Sequence, residues 1–189
     1  MTQALFLDRD GTINEDPGYL GDPSLVKLLD GVGESLSFLK NDLNFMLIVV
    51  SNQSGIARGL ITEEDVKSVN DEINNLLSEY NVKIDKFYYC AYHPDFNTPE
   101  ECDSRKPSPK MILDAAKEFD IDLNKSYLIG DMSSDILSGL NAGVKTILVK
   151  TGYGKSQISS LSNLKIIPNF VAENFKEACE FIKKDFNNN

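Results

Sequence analysis

Short apolar runs alternate with amphipathic stretches along this chain. The apolar runs are continuous and bounded by polar residues, which is typical of strands that are covered on both faces. They predict five strands, at residues 4–7, 46–50, 87–90, 126–130 and 146–149. Phe170 and Val171 predict a brief edge strand.

Between the apolar runs, apolar side chains recur every three or four positions, which predicts amphipathic helices. These helices are expected at residues 30–41, 62–80, 108–119, 133–141 and 172–184. Thr62, followed three residues later by Asp65, is typical of a capped helix start, and Pro109 suits the first helical position. Alternating strands and helices predict an α/β fold, with a parallel sheet that is covered by helices on both faces. Ligands of such sheets bind beyond the carboxyl ends of the strands.

The composition predicts one ordinary globular domain over residues 1–189, with 187–189 expected to be frayed. The net charge of −10 disfavours binding to nucleic acid or to an anionic membrane surface. We find neither an apolar run long enough to cross a bilayer nor a secretory leader pattern. Three cysteines, an odd number, suit a reducing compartment, so a cytoplasmic location is expected. The oligomeric state stays open, with a monomer favoured.

The most informative polar feature is the segment Asp8-Arg9-Asp10-Gly11-Thr12, directly after the first predicted strand. Strand alternation places Asp8 and Asp10 on the same side of the chain. Two carboxylates that close repel each other, so the pair either titrates abnormally or binds a metal. A simple polar turn is the plainer alternative.

Three further polar segments follow predicted strands or precede predicted helices. Residues 51–55 (Ser-Asn-Gln-Ser-Gly) offer a hydroxyl, amides and close backbone approach, as phosphate binding requires, although such turns are common. Arg105 and Lys106 can bind anions or form a solvated basic pair. Asp131 and Asp135 suit a metal ligand and a helix cap, or two caps.

The order of these four segments resembles the haloacid dehalogenase (HAD) superfamily of phosphohydrolases, over about residues 4–181. The match narrows to the branch of histidinol-phosphate and D-glycero-D-manno-heptose-1,7-bisphosphate phosphatases. The runs that carry it are Phe-Leu-Asp-Arg-Asp-Gly-Thr-Ile-Asn at 6–14, Asp-Pro-Gly-Tyr at 16–19, Ser-Asn-Gln-Ser-Gly-Ile-Ala-Arg-Gly at 51–59 and Arg-Lys-Pro at 105–107. The long run at 51–59 favours the heptose enzymes.

The resemblance implies a three-layer, Rossmann-like HAD fold without a large cap domain. It implies that Asp8 is the nucleophile, that Asp10 is the general acid and then base, and that Ser51 and Lys106 hold the transferring phosphoryl oxygens. Mg²⁺ would be bound by the Asp8 and Asp131 carboxylates and by the main-chain carbonyl of Asp10. The substrate pocket would be lined by Asp16, Gly18, Tyr19, Asn52, Gln53, Ser54 and Arg105.

The sequence departs from this branch in a loop that usually holds structural zinc through Cys-x-His and Cys-x-Cys. Cys90 and Cys102 match, but Tyr92 and Ser104 stand where a histidine and a cysteine are expected. Two ligands cannot close a tetrahedral site, and a substitute ligand such as His93 would be needed. We therefore predict no stoichiometric zinc.

The resemblance implies a Mg²⁺-dependent phosphatase of a small phosphorylated sugar, with the 7-phosphate of D-glycero-D-manno-heptose 1,7-bisphosphate as the expected target. Histidinol phosphate is the alternative substrate, and a catalytically silent binding module is the alternative of another class. Met132 replaces a basic residue that the branch often carries, which weakens the case for an identical substrate. Asp135 is expected to support Lys106 and the helix start. Residues 151–156 resemble part of a P-loop, but we interpret them as a turn.

Overall fold

Six parallel strands form one sheet in the order β3-β2-β1-β4-β5-β6 in this computed structural model, which describes residues 2–187. The strands are β1 (Ala4–Leu7), β2 (Met46–Asn52), β3 (Lys86–Cys90), β4 (Tyr127–Gly130), β5 (Lys145–Val149) and β6 (Phe170–Ala172). The helices are α1 (Val32–Asn41), α2 (Glu63–Ser78), α3 (Lys110–Phe119), α4 (Ser133–Ala142), α5 (Gly154–Asn163) and α6 (Phe175–Asn187).

The alternation of side chains along β1 shows why the sheet is covered twice. Leu5 and Leu7 point into a core that α1, α2 and α6 complete. Ala4 and Phe6 point to the other face, where α3 and α4 cover them. Because both faces are apolar, the fold has three layers, as the sequence predicted.

The predicted elements are present, with shifted ends in several cases. The helix predicted from 172 begins instead at Phe175, because Ala172 completes β6. Pro109 precedes the first residue of α3 and does not occupy the first helical position. The interpretation of 151–156 as a turn is wrong beyond residue 153, because α5 starts at Gly154. Asn187, expected to be frayed, is the last residue of α6, and residues 188–189 lie outside the described chain.

The connections after β1 and β2 carry short turns and α1 or α2, with no inserted domain between residues 2 and 187. The predicted absence of a large cap is therefore confirmed for this part of the chain. Over the same residues, no helix combines the length and the apolar character that a bilayer span requires.

Candidate active site

A cavity of about 480 Å³ opens where the carboxyl ends of the central strands β1, β2 and β4 meet. Its volume is in the ordinary range for small-molecule sites. Every residue that the sequence predicted for the site lines it: Asp8, Asp10, Asp16, Gly18, Tyr19, Ser51, Asn52, Gln53, Ser54, Arg105, Lys106 and Asp131. Five further residues line it as well: Gly55, Met132, Ser134, Asp135 and Tyr153.

Lys106 is the buried cation at the floor of this cavity. Its Nζ lies 2.7 Å from Asp8 Oδ1 and 2.6 Å from Asp135 Oδ1. It also donates to the Val50 carbonyl at 2.7 Å. The ammonium is therefore surrounded by three oxygens, with hydrogen bonds to Asp8 and Val50 and an ion pair with Asp135. Binding a phosphoryl oxygen would therefore require the exchange of one contact.

Burial and charge shift the pKa values of this cluster in opposite directions. Desolvation raises the pKa of Asp8 to about 7, although the neighbouring Lys106 acts to lower it. Burial alone would lower the pKa of Lys106, but the ion pairs with Asp135 and Asp8 outweigh that effect and raise it. Lys106 therefore stays charged at neutral pH, whereas the raised pKa of Asp8 favours a proton or a cation on its carboxylate.

Asp131 lies directly after β4 between two glycines from other loops. A Cβ on Gly11 would lie 2.6 Å from Asp131 Oδ2, and one on Gly152 would lie 2.2 Å from the same atom. Only glycine fits at both positions. The Tyr153 N–H donates to Asp131 Oδ2 at 2.7 Å, and the Thr151 hydroxyl donates to the Gly11 carbonyl at 2.7 Å.

The other oxygen of this carboxylate, Asp131 Oδ1, is buried without a hydrogen-bond partner. Leaving a buried carboxylate oxygen unpaired is costly unless a cation or proton takes it. Desolvation, with Asp8 and Asp135 nearby, raises the pKa of Asp131 to about 8. Each of the three acidic residues offers an oxygen within 4.8 Å of the other two. The donor set and the orphaned oxygen fit a hard divalent cation such as Mg²⁺.

The charge balance supports the same conclusion. Four carboxylates, those of Asp8, Asp10, Asp131 and Asp135, face the two cations Arg9 and Lys106. Two negative charges therefore remain if all the groups are ionised, which equals the charge that one divalent ion supplies. Since Asp135 Oδ2 accepts from the Met132 N–H at 2.9 Å and Oδ1 pairs with Lys106, Asp135 orients the lysine and the start of α4.

Asp10 is surrounded by hydrogen-bond donors. Arg9 Nη2 donates to its Oδ2 at 2.8 Å, and Gln53 Nε2 donates to the same oxygen at 3.0 Å. Asn14 Nδ2 donates to Oδ1 at 2.9 Å. Both carboxylate oxygens therefore accept hydrogen bonds from side chains that fix their positions.

The residues predicted to contact substrate differ in how free their side chains are. Both ends of the Asn52 amide bind the Lys106 backbone, at 3.0 and 3.1 Å, so Asn52 orients the lysine. Asp16 Oδ1 accepts from the Gly18 N–H, and desolvation raises the Asp16 pKa. Tyr19 is 49% exposed at the rim of the cavity.

The loop over residues 91–104, where zinc was considered, is tied to the loop after β2 by side-chain packing. Arg58 lies over the Phe96 ring at 5.2 Å and approaches His93 Nε2 at 3.3 Å. Arg105 Nη1 in turn donates to the Tyr92 carbonyl at 3.2 Å, so the loop holds the arginine at the cavity rim.

Cys90 and Cys102 are free thiols. Within residues 2–187, they and His93 form no group of three metal-ligating side chains, since the acidic cluster around Asp8 is the one group of that kind. The absence of stoichiometric zinc stays a prediction.

The sequence did not predict that the turn at residues 151–153 takes part in the site. Its interpretation as a plain turn ignored that Gly152 follows a strand next to β4, at the same edge as Asp131. A glycine followed by an aromatic residue at that edge was the available signal. Tyr153 is 54% exposed and lines the cavity opposite the β2 loop.

Comparison with known proteins agrees with this geometry. The HAD-hydrolase-like family model matches residues 104–178. The D-glycero-D-manno-heptose-1,7-bisphosphate 7-phosphatase of Chlorobaculum tepidum is 39% identical over 185 residues, 93% of this chain and 92% of that protein. An Escherichia coli D-glycero-beta-D-manno-heptose-1,7-bisphosphate 7-phosphatase is 42% identical over 153 residues, 79% of this chain and 80% of that protein.

A solved structure has the same fold over nearly the whole chain. The D,D-heptose 1,7-bisphosphate phosphatase of B. bronchiseptica, complexed with magnesium and phosphate, has a TM-score of 0.86 and 27% identity, over 97% of this chain and 99% of that one. Identity close to 40% along nearly the whole chain accompanies the acidic cavity described above. The chain therefore belongs to the HAD superfamily of phosphohydrolases, in the family of the heptose-1,7-bisphosphate 7-phosphatases.

Proposed function

We propose that this chain is a Mg²⁺-dependent phosphatase that removes the 7-phosphate of D-glycero-D-manno-heptose 1,7-bisphosphate through a phosphorylated Asp8. The observation that carries the proposal is the packing of Asp8 against Lys106, within 4.8 Å of Asp131 and Asp135, in a cavity at the sheet edge.

In the first step, an Asp8 carboxylate oxygen attacks phosphorus, and the bond from phosphorus to the sugar oxygen breaks. Asp10 gives the departing oxygen a proton, for which one of its present amide donors must turn away. Ser51 and Lys106 hold the phosphoryl oxygens, and Lys106 exchanges one of its three contacts to do so.

In the second step, water attacks the phosphorus of the aspartyl phosphate, and Asp10 accepts the proton of that water. The bond between phosphorus and Asp8 breaks, so the carboxylate is restored. The donors around Asp10 hold its carboxylate oxygens in place for this role.

Mg²⁺ held by Asp8 and Asp131, with the Asp10 carbonyl as a further ligand, would neutralise charge on the transferring phosphoryl group. The orphaned Asp131 Oδ1 supports this assignment.

The sugar phosphate is assigned from the relatives named above and from the open cavity. No inserted cap covers the site within the described chain, so short loops must form the roof. Arg105 is the candidate ligand for the second phosphate, since Met132 leaves the α4 side of the cavity without a cation.

The experiment is a phosphate-release assay with Mg²⁺ over a panel of substrates, comparing kcat/KM for the heptose bisphosphate, other sugar phosphates and histidinol phosphate. We expect the heptose bisphosphate to be preferred and Asp8→Asn to abolish turnover. Preference for histidinol phosphate would overturn the substrate assignment. Equal phosphate release by wild type and Asp8→Asn would overturn the enzyme assignment.

A further inference from the structure

The scheme above uses Arg9 only as one of the donors to Asp10, although it lies between Asp8 and Asp10 in sequence. Its side chain is only 1% exposed. Charged side chains are seldom buried so completely unless partners hold them. The contacts of this guanidinium therefore indicate what it does.

The guanidinium binds three residues from three parts of the chain. Nε and Nη2 form a fork on the Asp10 carboxylate, at 3.1 and 2.8 Å. Nη2 also donates to Gln53 Oε1 at 3.0 Å, after β2. Nη1 donates to Asn70 Oδ1 at 3.2 Å, on α2. A planar fork held at both ends fixes the direction of the Asp10 carboxylate.

The same contacts determine the polarity of a short hydrogen-bond chain. Because arginine can only donate, the Gln53 oxygen must face Arg9 and its NH₂ group must face the other way. That NH₂ group donates to Asp10 Oδ2 at 3.0 Å and to Ser51 Oγ at 2.7 Å. Ser51 Oγ thus accepts within the chain, which leaves its own hydrogen for a ligand in the cavity.

We propose that Arg9 is a positioning residue that aims the Asp10 carboxylate and, through the Gln53 amide, directs the Ser51 hydroxyl hydrogen toward the phosphoryl group. Asn70 anchors Arg9 from α2, outside the cavity lining. This inference rests on the proposed phosphatase activity and adds to it residues that set the direction of proton transfer.

The test uses two substrates that differ in how much they need a general acid. An alkoxide leaving from a sugar phosphate needs a proton from Asp10, whereas the stable phenolate of p-nitrophenyl phosphate needs little help. The value of kcat/KM reports the step that phosphorylates Asp8. The ratio of the two kcat/KM values therefore measures how well Asp10 is oriented to donate its proton. Loss of fold or of general packing would lower both values together.

Arg9→Lys keeps the charge but loses the fork. We expect kcat/KM for the sugar phosphate to fall about 100-fold, and that for p-nitrophenyl phosphate to fall less than about tenfold. A pre-steady-state burst of p-nitrophenolate should also appear, because slower activation of water lets phosphorylated Asp8 accumulate.

Asn70→Ala and Asn74→Ala form a matched pair one turn apart on α2. Both asparagines make side-chain hydrogen bonds, buried for Asn70 and part-buried for Asn74, but those of Asn74 go to the Ile84 backbone and not to Arg9. We expect only Asn70→Ala to shift the substrate ratio, by about tenfold. Should Arg9→Lys fail to fold, this pair decides the question alone.

Gln53→Glu tests the polarity of the chain with almost no change of shape. Its carboxylate would accept from both Arg9 and Ser51, so the serine hydrogen would turn away from the phosphoryl group. We expect kcat/KM to fall for both substrates, since each has the same phosphoryl group, and to fall further for the sugar phosphate, because the substitution also removes the amide donor to Asp10 Oδ2.

Three results would overturn the inference: an unchanged substrate ratio in Arg9→Lys, equal behaviour of the two asparagine variants, or full activity of Gln53→Glu. Each leaves the proposed function standing if Asp8→Asn is inactive. Turnover by Asp8→Asn would instead overturn the proposed function.

Discussion

Lys106→Met is the most informative single substitution for the electrostatics of the site. It removes the buried cation that lies 2.7 Å from Asp8 and 2.6 Å from Asp135, while keeping most of the volume of the side chain. Removing one partner of a buried ion pair costs about 3–5 kcal/mol, since the remaining charge is left without compensation. We expect the free energy of unfolding of the metal-free protein to fall by that amount at pH 8.5.

The loss should be smaller at pH 6, and the sign follows from the pKa of Asp8. Its pKa in the folded protein is raised to about 7, and without Lys106 it rises further. A carboxyl group with a raised pKa in the folded state loses stabilisation as pH increases through that pKa. Below pH 7 Asp8 is protonated, so the missing ammonium leaves no uncompensated charge on it. The free energies of unfolding of the variant and the wild type therefore converge.

The assay is urea denaturation at both pH values, with and without Mg²⁺. Mg²⁺ should restore much of the stability of Lys106→Met, because it supplies positive charge beside Asp8, but it should not restore turnover. Lys110→Met is the matched control, since Lys110 forms a solvent-exposed pair with Asp114 and its loss should change the free energy of unfolding very little. A loss below about 1 kcal/mol for Lys106→Met at pH 8.5 would refute this reasoning, as would a loss that does not depend on pH.

Three other outcomes are expected. Mg²⁺ should raise the melting temperature more at pH 8 than at pH 6, because Asp8 and Asp131, with pKa values of about 7 and about 8, must lose protons to bind it. Gly152→Ala should weaken Mg²⁺ binding measured by calorimetry, by at least about tenfold, since the new Cβ would lie 2.2 Å from Asp131 Oδ2. Phe96→Ala should raise KM for the bisphosphate several-fold with little change in kcat, because it loosens the loop that holds Arg105.

Matched controls separate these effects from general damage. Gly143→Ala also changes a glycine with positive φ, but no atom lies within 4 Å of its new Cβ, so Mg²⁺ affinity should be unchanged. Glu100→Ala changes an exposed residue of the same loop as Phe96 and should leave KM unchanged. Equal stabilisation by Mg²⁺ at both pH values would contradict the first prediction. The second would be contradicted if Gly143→Ala weakened Mg²⁺ binding as much as Gly152→Ala, and the third if Glu100→Ala raised KM as much as Phe96→Ala.

The sheet could be predicted from the sequence because its strands are covered on both faces and therefore appear as continuous apolar runs. β1 and β4 show this best, since their apolar runs are followed at once by Asp8 and Asp131. The parallel topology brings these ends to one edge, so the gathering of the site followed from the order of the strands.

Contacts that depend on side-chain direction could not be predicted in the same way. Nothing in the sequence around Arg9 reveals that its guanidinium turns inward to Asn70, which is 61 residues away. The approach of Gly152 to Asp131 likewise depends on how two loops pack, and α5 was missed because its start is rich in glycine and serine. Such contacts arise from tertiary packing and not from local propensity.

Trapping the phosphorylated enzyme tests most directly whether Asp8 carries the phosphoryl group. Borohydride reduces an acyl phosphate to an alcohol, so protein quenched during turnover should contain homoserine at position 8 in a peptide mass spectrum, and protein without substrate should not. An unmodified Asp8 in a sample that is shown to turn over, with the reduction found at another carboxylate, would contradict the proposed chemistry.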